Sequence, residues 1–85
     1  MELWKLVLDE AVFQSFIALR GGDRLKALHA FDQLRSNPSR EADFTTTDST
    51  GRTLSVAALK PFLVTYWLDA FVSEVRIVNI QRIRY

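Results

Sequence analysis

PFLVTYWLDAFVSEVRIVNIQRIRY, Pro61 to Tyr85, is the stretch on which the fold of this 85-residue chain turns. PFLVTYWL is rich in β-branched and aromatic residues, which fit a pleated, half-buried surface. SEVRIVNIQRI alternates, or nearly so, along its length. Asp69-Ala70-Phe71-Val72 separates the two runs and is short enough for a hairpin turn. The reading is a long antiparallel hairpin at the centre of a small sheet. On its second strand Ile77 falls on one face, and Val78 and Ile80 fall on the other. Both faces are therefore expected to be covered, at least in part. Polar residues collect at the strand's end, where Gln81, Arg82, Arg84 and Tyr85 project. A rigid strand that brings cations to one edge of a sheet is suited to holding a phosphate.

Upstream of the hairpin, Arg52 to Leu59 alternates, with Leu54, Val56 and Ala58 on one side, and predicts a further strand. Asp48-Ser49-Thr50-Gly51 is a turn signal, and Phe44 to Thr47 is β-branched enough for a short edge strand. Ser39 to Asp43 is a polar loop. Before it, Ala27, Ala30, Phe31 and Leu34 recur at helical spacing, with Leu28 beside them. They predict a helix capped by Asp23 and stopped by Asn37-Pro38. A second helix is predicted from Glu10 to Arg20, with Asp9 as its N-cap and Val12, Phe13, Phe16, Ile17 and Leu19 as its apolar face. Gly21-Gly22 is expected to end that helix. Leu3 to Leu8 is short and apolar and predicts an N-terminal strand. The order is a strand, a helical hairpin, then three or four antiparallel strands. This is an α+β domain with its helices on one face of the sheet.

At 85 residues the chain is expected to be one domain, 1–85. A hydrophobic content of 48% is that of a globular protein. No run approaches the roughly 18 apolar residues of a membrane span. Met1 to Lys5 lacks the basic start and apolar core of a signal peptide, so a cytoplasmic protein is expected. With no cysteine, a disulfide framework and a thiolate site are excluded. One histidine and scattered carboxylates offer no metal site, and no cofactor-binding motif is present. The formal charge of +1 hides an asymmetry. Residues 1–48 carry six basic and eight acidic side chains, whereas residues 49–85 carry five basic and two acidic. The basic half holds the strand end described above, which points toward an anionic partner.

In the order and spacing of these elements the chain resembles the RelE/ParE superfamily, the toxins of bacterial type II toxin–antitoxin modules. LWKLVLDEA looks like the family's opening strand and first helix. DRLKALHAFDQLRSNP is similar to its second helix and stop, and PFLVTYW with EVRIVNIQR to its core hairpin. The ending QRIRY is the most specific match. It resembles the CRYHY ending of a RelE-type, ribosome-dependent mRNA endonuclease. Arg82 and Tyr85 match residue for residue, and Arg84 stands at a histidine. The chain departs from the RelE type at Phe62, where those nucleases usually carry arginine, with Lys60 two residues earlier. SREADFTTTD is acidic where the basic RelE enzymes have a lysine-rich loop. Pro61-Phe62 looks more like the ParE-type gyrase poisons.

The resemblance implies a toxin neutralised by a protein antitoxin, in a hetero-oligomer with it or as a homodimer. Its targets would be the ribosome and mRNA, with DNA gyrase as the alternative. A degenerate member that only binds its antitoxin is a third reading. Whether the chain is an enzyme stays open at this point. RelE-type chemistry attacks an RNA phosphate with the neighbouring 2′-hydroxyl, which requires a base, cations for the growing charge, and an acid. Arg82 and Arg84 are expected to hold the scissile phosphate, and Tyr85 to stack on a base or supply a proton. Arg52 is placed to join them, with Lys60 nearby. Phe62, Val64 and Tyr66 share one side of their strand, and Leu63, Thr65 and Trp67 the other. By analogy with the family, the second set is expected to face the helices. That leaves Phe62 or Tyr66 to stack with bases. No base is evident. His29 is read as an ordinary, partly buried helix residue, and Glu41 and Asp43 as solvated loop acids.

Overall fold

The computed structural model describes residues 4–83. Arg84 and Tyr85, to which the resemblance assigns roles, lie outside the described residues. The chain runs β1 (Lys5–Leu8), α1 (Glu10–Ile17), α2 (Gly21–Ser36), β2 (Phe44–Thr47), β3 (Thr53–Leu59), β4 (Phe62–Asp69) and β5 (Glu74–Arg82). The strands form one sheet in the order β1-β5-β4-β3-β2. The β4–β5 hairpin is central, as expected, and β2 to β5 pair antiparallel in succession. β1 joins the outer edge of β5 in parallel, Leu6 opposite Val75 and Leu8 opposite Ile77. Both helices pack on one face.

Local chemistry explains the helix ends. The Val12 amide donates to Asp9 Oδ1 at 2.9 Å, which is the predicted cap of α1. That helix stops at Ile17, three residues short of the expected Arg20. Arg24 closes it from outside by donating to the carbonyls of Ile17 and Leu19. The two glycines therefore do not end α1. They open α2, and Gly21 sits at φ +23°, a backbone region that favours glycine. Arg20 is the N-cap position, and Asp23 lies in the first turn, where the helix dipole favours a carboxylate.

The core lies between α2, the start of α1 and the inner face of the sheet. It contains Val12, Ala27, Ala30, Phe31, Leu34, Ala57, Phe62, Val64, Tyr66, Val75 and Ile77. Two expectations about faces are reversed by this packing. Phe62, Val64 and Tyr66 face the helices, at 1%, 0% and 2% exposure, and Leu63, Thr65 and Trp67 point away. Leu54 and Val56, although buried, pair with the outward set and lie outside the core. On β3 the helix side takes the small Ala57. On β5 a register shift opposite Thr65 and Tyr66 places Ile77 across from Tyr66 and Ile80 across from Val64. One extra residue in a strand resets the alternation. Ile77 and Ile80 thus share the inner face instead of flanking the sheet.

Candidate functional site: a cationic groove along the second helix

The sequence-predicted site residues are not gathered in one place. Phe62 and Tyr66 are core side chains, so the expectation that they stack with bases is corrected. Burial pushes the Tyr66 phenol up from its usual value of 10.0, with the Arg40 charge pulling the other way. Arg52 lies over the Trp67 ring, its guanidinium carbon 4.2 Å from the centroid, on the helix-free face of the sheet. Arg76 approaches the same ring at 5.5 Å and pairs with Glu74 at 2.8 Å. Arg82 is opposite Phe62 in the register and therefore on the helix side. There it pairs with Asp23 in the first turn of α2, an ion pair spanning 59 residues of sequence. Arg82 and Arg52 thus lie on opposite faces, and Arg52 does not join the strand-end cluster.

What the fold brings together instead is a groove beside α2. Lys60, in the β3–β4 turn, lines a hollow of about 330 Å³ with Lys26, His29, Ala30 and Gln33. A second hollow of about 530 Å³ is lined by His29, Asp32, Gln33, Ser36, Asn37 and Arg40. His29 and Gln33 border both, so the two form one groove along the helix. Arg82 lines neither hollow; it pairs with Phe62, two residues beyond Lys60. The Ile83 amide donates to the Pro61 carbonyl at 2.7 Å, which ties the end of β5 to the turn that carries Lys60. Asp23, the partner of Arg82, is one turn before Lys26.

The acids near the groove are paired with cations, Arg40 among them, which lies 3.7 Å from Asp43. Asp32 pairs with Arg35, and Asp23 with Arg82. Asp43 accepts from the Ala58 amide at 2.7 Å, which makes it a backbone tie and not a loop acid free for proton transfer. His29 is exposed and not partly buried as expected. In sequence it lies far from the C-terminal arginines. A signal was available: Lys26, His29 and Gln33 recur at spacings of three and four beside the buried stripe Ala27, Ala30, Phe31 and Leu34. Polar residues on the shoulder of a buried helix face border the seam between that helix and whatever it packs on. Among the described residues no group of His, Asp or Glu is arranged to hold a metal ion. No helix among them is long and apolar enough to cross a membrane.

No protein-family model matches the chain, and no curated protein matches it. Among solved structures it is similar to the crystal structure of an archaeal RelE-RelB complex from Pyrococcus horikoshii OT3. The TM-score is 0.69 at 15% identity, over 95% of this chain and 96% of that one. At that identity the likeness is one of fold. The chain has a RelE-like fold, with an N-terminal strand, two helices and an antiparallel sheet.

Proposed function

We propose that this protein is the toxin of a type II toxin–antitoxin module, acting as a ribosome-dependent mRNA endonuclease in the cytoplasm and neutralised by a protein antitoxin. The observation that carries the reading is the RelE-like fold over 95% of the chain. A groove that brings Lys26, Lys60, Arg40 and the neighbouring Arg82 to one side of the molecule supports it. Lysine and arginine are the side chains that hold an RNA backbone. Arg82 is half-exposed, so its outer edge is open to a phosphate while Asp23 fixes its position. Arg84 and Tyr85 follow it in sequence and are proposed to extend this contact, one to phosphate and one to a base.

A second reading, a non-enzymatic gyrase poison, is favoured by two observations. Phe62 is buried where RelE-type nucleases usually carry an arginine, and Arg82 spends part of its charge on Asp23. Inducing the protein in growing cells separates the readings. mRNA cut in phase with codons supports the nuclease, and arrested DNA synthesis with intact mRNA supports the poison. Co-expression of the proposed protein antitoxin should restore growth in either case.

A further inference from the structure

We infer that His29 is the base of this site: its imidazole accepts the 2′-hydroxyl proton of an RNA strand lying in the α2 groove, with the scissile phosphate held between Lys26 and Lys60. The inference rests on the endonuclease reading. Sequence reasoning left that reaction without a base, because arginine does not give up its proton in proteins. Histidine is the side chain whose ordinary titration range spans neutral pH, and this chain has one.

The placement carries the argument. His29 lies in the middle turns of a 16-residue helix that is anchored by Ala27, Ala30, Phe31 and Leu34. A rigid element of this kind delivers a reacting group more reproducibly than a loop does. The ring borders both hollows, so a strand running the length of the groove must pass it. Lys26 is one turn before it on the same helix, and Lys60 lines the same hollow from the sheet side. Among the described residues the side chains of Lys26, His29 and Gln33 make no hydrogen bond or ion pair. These three side chains are thus not engaged in holding the fold together. His29 is exposed, so its ring is open to a strand lying in the groove.

In the step itself, an unprotonated ring nitrogen of His29 takes the 2′-oxygen's proton as that oxygen bonds to phosphorus. The bond from phosphorus to the 5′-oxygen of the next nucleotide breaks. The 5′-oxygen takes a proton from water, and the resulting hydroxide is neutralised by the proton on His29. The products are a 2′,3′-cyclic phosphate and a 5′-hydroxyl end. Lys26 and Lys60 offset the charge gathering on the phosphate oxygens.

The test uses the full chain with ribosome-bound mRNA. His29→Gln, at an exposed helix position, should lower the cleavage rate by about 10²-fold or more while binding of the ribosome changes little. Because the chain has one histidine, its ring gives a single set of NMR signals. A short oligoribonucleotide made uncleavable by a 2′-deoxy substitution should shift them, and Lys26→Gln with Lys60→Gln should weaken that shift. If the wild type cleaves and His29→Gln cleaves equally well, the inference is overturned and the nuclease reading stands. Failure of the His29 signals to move on binding overturns it too. If the wild type cleaves no mRNA, the reading and the inference fall together.

Discussion

At the scale of the residue, Arg82 is the position where two roles meet. It closes the sheet onto α2 through Asp23, and about half of its side chain stays exposed for the proposed phosphate contact. The pair is half-exposed on one side and about a third exposed on the other, so solvent screens it and its worth to stability is about 1 kcal/mol or less. Arg82→Ala and Asp23→Asn should therefore lower the urea midpoint by similar small amounts. They should differ in toxicity: Arg82→Ala abolishes growth arrest, whereas Asp23→Asn keeps it. Equal toxicity from both variants would reduce Arg82 to a structural tie. Asp48 makes a separate prediction. Its carboxylate accepts from the Thr50 hydroxyl at 2.6 Å and from the Thr50 and Arg52 amides at 2.9 Å, which holds its pKa below the ordinary 3.8. A depressed folded-state value means stability that is complete above the unfolded value and is lost as pH falls through the lowered one. The β2–β3 turn should therefore loosen in acid below about 3.8, read as smaller amide-exchange protection factors at Thr50 and Arg52. Asp48→Asn should open it at neutral pH.

At the scale of the element, the β4–β5 hairpin was legible and its orientation was not. Phe62, Val64, Tyr66 and Leu63, Thr65, Trp67 are both apolar enough to be buried, so alternation fixes the two sets without saying which one meets the helices. Covering decides it. The first set packs under α2, and of the second Trp67 is covered by Arg52 and Arg76. The bulge in β5 was equally silent, because one inserted residue leaves the composition unchanged while resetting the faces of Ile80 and Arg82. That reset is what turns Arg82 toward Asp23 and away from Arg52. Phe62→Ala should cost about 3–5 kcal/mol, measured by urea denaturation, because it empties a site with 1% exposure. Arg52→Gln should cost about 0.5–1 kcal/mol and alter tryptophan fluorescence through loss of the cation over the Trp67 ring, with RNA cleavage unchanged.

At the scale of the whole molecule, the division of charge takes on a structural meaning. The basic C-terminal half supplies Lys60 and Arg82, and the acidic N-terminal half supplies the helix that carries Lys26 and His29. The sequence showed the order of elements and the cationic strand end. It did not show the groove, because Lys26 and Lys60 are brought together only when α2 packs on the sheet. A groove lined by Lys26 and Lys60 should bind RNA with salt dependence, affinity falling as ionic strength rises. Lys26→Gln and Lys60→Gln together should flatten that dependence in a titration against single-stranded RNA.

The central claim is that this RelE-like fold cleaves mRNA on the ribosome. Its most direct measurement is sequencing of mRNA 5′ ends in cells within minutes of induction, alongside labelled amino-acid and thymidine incorporation. The account predicts that translation stops first, with new 5′-hydroxyl ends in phase with codons. Thymidine incorporation stopping first, with mRNA intact, would contradict it.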